Sequence, residues 1–332
     1  MKVGVLQFFS WPERRVSLAT VYARALDRIR IMEETGFDAV WLAEHHFTGF
    51  SVCPSVHMLG VQAAAITKRL RIGTAVSLAA FYHPLRLAEE VALLDVLSGG
   101  RVNWGAGRGF AKTEFDAFGV PGAESNERFR EAVDVVLKAW TQERITYHGR
   151  YWHFDGVEVL PKPLQQPMPP VWMAASSDQA VEWAASQGHS ILMDPHSAIQ
   201  DIGRKRRLYA ERLAAAGHSD KGRDIPMARL VALADTREEA AEVARRGAGW
   251  LVASYSGPQH AQQKVMQAAR DYAGMDPVEF YLDRVILHGT PDSVRDQILG
   301  LQEQIGLNYL MCAPLSHQSF MLMADKVVPR LV

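Results

Sequence analysis

Apolar residues alternate along the chain between two spacings. Short continuous apolar runs, which are typical of buried strands, are followed by stretches whose apolar residues recur every three or four positions, as on a helix. The first pair is a run at residues 2–8 and a predicted helix that ends at Gly36. The apolar face of this helix is formed by Leu18, Val21, Ala25, Ile29 and Met32. A strand followed by an amphipathic helix is the repeating unit of a parallel α/β fold.

The same alternation continues along the chain and predicts eight strands separated by helices. The predicted strands cover residues 2–8, 37–43, 70–78, 101–106, 171–174, 190–193, about 227–234 and 307–312. Eight strands that alternate with helices favour a (β/α)8 barrel over a doubly wound open sheet. We therefore predict an α/β fold, a (β/α)8 TIM barrel, that residues 1–332 form as a single domain.

Two stretches interrupt the alternation and predict insertions after strands 4 and 7. Residues 143–169 are rich in proline and contain a hairpin-like segment at 147–151. Residues 247–284 are irregular and rich in Gly, Gln and Tyr, and they are longer than an ordinary connection. Such long connections are common places for lids and binding loops.

Composition and charge narrow the classes of partner. The chain of 332 residues is 48% hydrophobic and carries 36 basic against 37 acidic residues, so it has no charge excess for binding nucleic acid or an anionic membrane. Its two cysteines, Cys53 and Cys312, form no CxxC pair, which argues against a disulfide framework or a thiolate metal site. The N-terminal residues do not resemble a signal peptide and no apolar run is long enough to span a membrane, so we expect a cytoplasmic protein.

The residues that follow predicted strand 2 are the first candidates for catalysis, because barrel enzymes place their chemistry at the carboxyl ends of strands. Glu44, His45 and His46 stand there. Successive side chains of an extended segment point to opposite sides, so one imidazole would face a site and the other would pack behind it. A histidine is a natural proton carrier near neutral pH. A structural, hydrogen-bonded pair at a strand end is the alternative, and both interpretations stay open on these residues alone.

A second candidate site could hold a phosphate group. Ser176 and Ser177 precede the helix after strand 5, where hydroxyls and free backbone amides could bind an anion. The alternative is an ordinary serine N-cap followed by Asp178 in the first turn. Arg108, at the end of neighbouring strand 4, favours the phosphate. The glycines of residues 105–109 do not have the GxGxxG spacing of a dinucleotide-binding loop.

A metal-dependent barrel hydrolase is a rival interpretation of the adjacent histidines. Such an enzyme needs His, Asp or Glu side chains from several strand ends around one ion. Strands 1, 3, 4 and 8 end without an obvious ligand, so the sequence disfavours this interpretation.

Motifs spread over nearly the whole chain resemble the bacterial luciferase-like flavin monooxygenases. They occupy residues 40–48, 72–75, 83–84, 93–95, 100–101, 108–109, 182–185 and 289–291. The resemblance implies a (β/α)8 barrel that uses reduced FMN, supplied by a separate flavin reductase, and O2. In that family the two react through a flavin 4a-hydroperoxide, which here would oxygenate a small apolar organic substrate. A homodimer paired through helices that flank the early strands is implied as well.

The resemblance also suggests roles for individual residues. His45 corresponds to the family's catalytic histidine, and Arg108 with Ser176 and Ser177 would contact the FMN phosphate. Ala75 and Val76 fall where the family has a non-prolyl cis peptide beneath the isoalloxazine ring, and Phe110 is expected to contact the cofactor.

The chain departs from luciferase at two of these places. Gly107 replaces a reactive cysteine and Ser176 replaces a glutamate, so light emission from a long-chain aldehyde is not implied. Two further alternatives are a deazaflavin-dependent oxidoreductase of the same family and a flavin-binding protein without catalytic activity.

Overall fold

The computed structural model describes residues 1–255 and 274–331. The chain forms two compact units. The terminal unit comprises Met1–Gln7, Ile31–Val40 and Met173–Val332, and the inner unit comprises Phe8–Arg30 and Trp41–Trp172.

Strands and helices alternate through most of the described chain. The strands are β1 (Lys2–Gln7), β2 (Ala39–Leu42), β3 (Arg71–Thr74), β4 (Ser77–Leu78), β5 (Val102–Gly107), β6 (Ile145–His148), β7 (His153–Val157), β8 (Val171–Ala174), β9 (Ser190–Leu192), β10 (Pro226–Leu233), β11 (Leu287–Gly289) and β12 (Tyr309–Pro314). The α-helices are α1 (Leu18–Glu34), α2 (Val56–Ile66), α3 (Pro84–Leu97), α4 (Lys112–Ala117), α5 (Ser125–Thr141), α6 (Asp178–Ser186), α7 (Ile199–Ala215), α8 (Arg237–Tyr255), α9 (Pro277–Arg284), α10 (Pro291–Ile305) and α11 (His317–Leu322).

In the terminal unit, parallel strands form the core. β12 pairs with β1 on one side and with β10 on the other, and β10 also pairs with β11. A bridge between Met193 and Met227 adds the end of β9. Every residue of β10 is buried, as expected for a parallel strand that is covered on both faces. Asn308 joins the residues that precede β12 to those that precede β10. Its side chain accepts from the Ile225 amide (3.1 Å) and donates to the Arg223 carbonyl (2.7 Å).

In the inner unit, β5 pairs in parallel with both β3 and β4. The helix α5 is joined to α3 by the Trp140 indole, which donates to the Ala88 carbonyl (3.0 Å). The buried carboxylate of Asp95 accepts from the Val102 amide (3.3 Å) and from both the backbone and the side chain of Gln165 (2.9 and 2.7 Å). This carboxylate therefore anchors the proline-rich insertion to β5.

The predicted α/β class with parallel strands is confirmed, and so is a hairpin in the first insertion, formed by β6 and β7. Closure into a complete eight-stranded barrel and a single domain over residues 1–332 stay predictions. The part of the chain that the structure describes has no helix long and apolar enough to cross a membrane.

Two details of the predicted elements are wrong. The strand predicted at 70–78 is divided into β3 and β4, and the Ala75–Val76 peptide between them is cis. The residues just after 111, for which the apolar spacing predicted no element, form the short helix α4. In the stretch predicted to be irregular, α8 extends to Tyr255 and α9 covers Pro277–Arg284. The remainder of that predicted lid, residues 256–273, lies outside the described residues.

Gly73 gives a test of packing in the inner unit. A Cβ atom at this position would overlap the ring of Trp41, which is fully buried and packs edge to face against Trp172 at 5.3 Å between centroids. Since the ring has no space to move, we expect Gly73→Ala to lower the free energy of unfolding by about 3 kcal/mol, the upper range for overpacking. Urea titration measures this change.

Gly249→Ala in α8 is the matched control, because a Cβ there meets nothing within 4 Å. Its higher helix propensity should raise stability by up to about 1 kcal/mol. Equal stability of the two variants would contradict the packing argument.

Candidate active site

The candidate catalytic residues follow β2, where the chain leaves the buried strand. The backbone amide of His45 donates to the Cys53 carbonyl (3.1 Å), which closes the loop between them. The Ser51 hydroxyl accepts from the Phe9 amide at 3.1 Å. These bonds fix the backbone on both sides of the histidine pair.

Glu44 is a buried carboxylate that accepts three hydrogen bonds. Only 2% of the residue is exposed. Its Oε1 lies 2.9 Å from His46 Nε2 and accepts from the Tyr82 hydroxyl at 3.1 Å, while Oε2 accepts from the Leu78 amide at 3.2 Å. Burial, together with the charge of Glu44, raises the pKa of Tyr82 well above its usual range, so this hydroxyl remains a donor. Glu44 thus connects the end of β2 to β4 and to Tyr82, two residues before α3.

His45 lies against a different carboxylate and among aromatic rings. Its Nδ1 is 3.5 Å from Oε1 of Glu114, and the same oxygen accepts from the His46 amide at 3.0 Å. The rings of Phe8, Phe50 and Phe110 surround it at centroid distances of 6.5, 5.1 and 5.9 Å. The two imidazoles therefore lie against different carboxylates, His45 against Glu114 and His46 against Glu44. Which of them faces a ligand stays a prediction.

Glu114 was missed in the sequence analysis because it lies in the unpredicted helix α4. Its side chain is only 2% exposed. A buried acid is expensive unless polar groups surround it; here the His46 amide donates to Glu114 and the His45 ring lies 3.5 Å away. The one signal in the sequence was an acidic residue six positions after Arg108, which the structure places in the first turn of α4.

Arg108, which follows β5, is a partly buried cation that has no acidic partner among residues 1–255 and 274–331. Its Nη1 donates to the Ser125 hydroxyl at 2.8 Å, and its guanidinium lies 5.7 Å from the centre of the Phe115 ring. Among the described residues no carboxylate comes within 4 Å of it, and burial lowers its pKa. Such a cation is suited to an anionic ligand.

The remaining predicted site residues are placed as follows. The Ala75–Val76 peptide is cis, as the resemblance implied, and the Ala75 amide donates to the Leu42 carbonyl at 2.7 Å. Ser177 caps α6 by accepting from the Ala180 amide at 3.3 Å, which is the ordinary N-cap of the alternative interpretation. Ser176 and Ser177 belong to the terminal unit and Arg108 to the inner unit, so a joint phosphate site stays a prediction.

Arg229 is a further polar residue that the sequence analysis missed. It is fully buried in β10, where Nη1 donates to the Ser197 carbonyl at 2.8 Å while Nε and Nη2 have no hydrogen-bond partner among the described residues. Burial lowers its pKa to about 10. The signal was a single cation within an otherwise apolar run at 226–234. In residues 1–255 and 274–331, no three His, Cys, Asp or Glu side chains are grouped as metal ligands.

Comparison with known proteins identifies the family. The profile of the family described as luciferase-like monooxygenase matches residues 1–308. The chain belongs to the luciferase-like monooxygenase family. This luciferase-like chain is 32% identical over 178 residues to the oxygenase component of the flavin-dependent trigonelline monooxygenase of Acinetobacter baylyi, covering 53% of its own length and 49% of the relative's. Against two curated relatives from Sinorhizobium fredii it covers 64% and 55% of their length.

Solved structures of the same shape agree with this membership. The oxygenating constituent of 3,6-diketocamphane monooxygenase from Pseudomonas putida, in complex with FMN, superposes with a TM-score of 0.84 at 23% identity, over 100% of this chain and 99% of that one. An F420-dependent secondary alcohol dehydrogenase superposes with a TM-score of 0.81 at 18% identity, again over 100% and 99%. At these identities the two structures show the fold of the luciferase-like chain and no more.

Replacing Glu44 tests whether its carboxylate holds the site together. Glu44→Gln keeps the shape but removes the charge and turns an N–H group towards one of three donors. Because hydrogen bonds to a buried charge are worth roughly 1.5–3 kcal/mol each, we expect a loss of about 3 kcal/mol in unfolding free energy. Thermal and urea unfolding measure it.

Glu211→Gln is the control, since this residue is exposed in α7 and should change stability by less than about 0.5 kcal/mol. A Glu44→Gln protein as stable as this control would show that the three bonds contribute little.

Proposed function

We propose that this chain is the oxygenase component of a two-component flavin-dependent monooxygenase. It uses reduced FMN, delivered by a separate flavin reductase, and O2 to oxygenate a small apolar organic substrate, and it is a (β/α)8 barrel of one domain. Family membership and the name of the Acinetobacter baylyi relative support the proposal. The observation that carries it is the placement of His45 against a buried carboxylate and among three aromatic rings.

The residues present fit a bound FMN. Arg108 offers a cation with no acid within 4 Å among the described residues, which is what an FMN phosphate requires. Ser176 and Ser177, at the start of α6, would supply hydroxyl and amide donors to the same phosphate. The Ala75–Val76 peptide and Phe110 would contact the ring system. When bound and reduced, FMN supplies the electrons that activate O2.

His45 is the group that would move a proton. Glu114 faces Nδ1, so a proton on that nitrogen is stabilised by the carboxylate, and Nε2 on the other side of the ring is the atom that would accept or donate a proton. The rings of Phe8, Phe50 and Phe110 surround the imidazole, so its environment is largely apolar. The protein thereby orients reactants and shields them from solvent.

The cofactor is tested by anaerobic titration with reduced FMN, followed by rapid mixing with O2. We expect tight binding and a reoxidation that is at least tenfold slower than that of free reduced FMN, because the site excludes water. Binding of a deazaflavin in place of FMN would support the hydride-transferring alternative. Binding of neither coenzyme would reject the proposed function.

His45→Ala tests the proton-transfer role. We expect its affinity for FMN to stay within about threefold of wild type, while the reoxidation kinetics change by roughly 10²-fold or more and lose their pH dependence, as for a missing general acid or base. The exposed His218 of the terminal unit, changed to Ala, is the control and should behave as wild type. A pH profile that is unchanged in His45→Ala would contradict the role.

We further propose a homodimer that forms through α2 and α3. These helices are in contact, since Gly60 of α2 approaches the side chain of Leu94 of α3. Large apolar side chains of both helices are exposed, namely Met58 (77%), Val61 (38%), Leu93 (46%), Val96 (42%) and Leu97 (56%). An apolar surface of this kind is typical of a protein interface.

Charged substitutions on this surface should separate the subunits. The double variant Leu93→Glu/Leu97→Glu is expected to be monomeric by light scattering at concentrations where the wild type is a dimer, since a buried unpaired charge opposes association. Leu299→Glu, at an exposed position of α10, is the control. A monomeric wild type would reject the homodimer.

The cytoplasm is the proposed location. Cys53 and Cys312 are both buried free thiols, and burial raises the pKa of Cys312 to about 12. Unreactive free thiols agree with a reducing compartment.

A further inference from the structure

A second hydrogen-bonded network lies in the inner unit and begins at Ser77, the residue after the Ala75–Val76 peptide. The Ser77 hydroxyl is 3.0 Å from Nε2 of His57, and Nδ1 of His57 is 3.0 Å from Oε2 of Glu90. The other oxygen of Glu90 accepts from Arg86 at 2.7 Å. Ser77 is fully buried and His57 is only 4% exposed, so water does not compete for their bond.

The order of donors in this network follows from the charge of Glu90. The hydrogen bond from His57 is the largest cause that lowers the pKa of Glu90, and Arg86 lowers it further, so the carboxylate is ionised. An ionised carboxylate only accepts, hence Nδ1 of His57 carries a hydrogen atom. Nε2 and the Ser77 hydroxyl share the hydrogen bond on the other side of the ring, and its donor depends on the tautomer of His57. In either direction the bond ties the hydroxyl to His57.

The arrangement has the connectivity of a Ser-His-acid triad but not its exposure. A nucleophilic serine must meet its substrate, whereas Ser77 has no exposed surface. Its backbone is confined as well, because β4 pairs with β5 through Ser77 and Ala106 and through Leu78 and Gly107. Leu78 also donates to Glu44 at 3.2 Å. The network therefore holds a segment of backbone.

We propose that His57, oriented by Glu90, is a positioning residue that fixes Ser77 and thereby the Ala75–Ser77 segment, which would contact the isoalloxazine ring of a bound FMN. This inference depends on the proposed function. It gives His57 and Glu90, which the sequence motifs did not indicate, a part in the cofactor site. The pairing of β4 with β5 transmits the same constraint to Gly107, the residue before Arg108.

The test compares Ser77→Ala, His57→Phe and Glu90→Gln with the wild type. We measure the Kd for oxidised FMN, the visible absorption spectrum of bound FMN, and backbone amide exchange at residues 77–82 in the FMN-free protein. Ser77→Ala and His57→Phe should each raise Kd about tenfold, shift the spectrum towards that of free FMN and speed exchange at Leu78. Glu90→Gln keeps an acceptor for Nδ1 of His57, so this variant should retain most of the wild-type affinity for FMN.

The double variant His57→Phe/Ser77→Ala should have a Kd for FMN no higher than that of the weaker-binding single variant, because both changes remove the same hydrogen bond. Ser319→Ala is the matched control: Ser319 is also fully buried, and its hydroxyl donates to the Leu233 carbonyl in the terminal unit at 3.0 Å. The Ser319→Ala protein should be less stable than the wild type but should keep the same Kd for FMN and the same spectrum of bound FMN.

The outcomes separate this inference from the proposed function. If the wild type binds FMN and the three variants lose only stability, with Kd and spectrum unchanged, the network is purely structural and the positioning role is rejected. If an unstable Ser77→Ala cannot be purified, Glu90→Gln and His57→Phe give the same comparison. A wild type that binds no FMN rejects the proposed function and this inference together.

Discussion

The buried carboxylate of Glu44 is the constraint on which the candidate site depends. A charge that is 2% exposed is tolerated only when donors surround it, and this one has His46, Tyr82 and Leu78. These donors come from the loop after β2, from the segment that leads into α3 and from β4. Three separate segments are therefore required to meet at one point, and His45, which is adjacent in sequence, is placed with them.

Much of the fold follows from the sequence because apolar spacing is a local property that packing then reinforces. The long helix α1 and the apolar run of β10 were predicted in this way. The division of the strand at 70–78 could not be predicted from spacing, because Ala75 and Val76 suit a regular strand and only the surroundings hold their peptide cis. The short helix α4 has too few residues for a recognisable stripe.

The site was predictable to the extent that strand ends reveal it. His45 and Arg108 come soon after apolar runs, so the sequence alone placed them at the ends of predicted strands. Glu114, His57 and Glu90 were not visible, because they act from helices whose sequence neighbours give no indication of a polar partner. Arg229 was hidden for the opposite reason, since a residue in the middle of an apolar strand reads as core.

Two networks act on one short segment from different sides. Glu44 holds the Leu78 amide and the Tyr82 hydroxyl, and His57 holds the Ser77 hydroxyl. The rings of His57 and Tyr82 are themselves in contact, with centroids 5.6 Å apart, so movement in one network disturbs the other. A segment held at Ser77, Leu78 and Tyr82 is pre-organised before any ligand arrives, so little further ordering is needed at the moment of binding. An enzyme of the proposed kind, which would orient and shield a reactive cofactor, would gain more from this rigidity than from many reactive side chains.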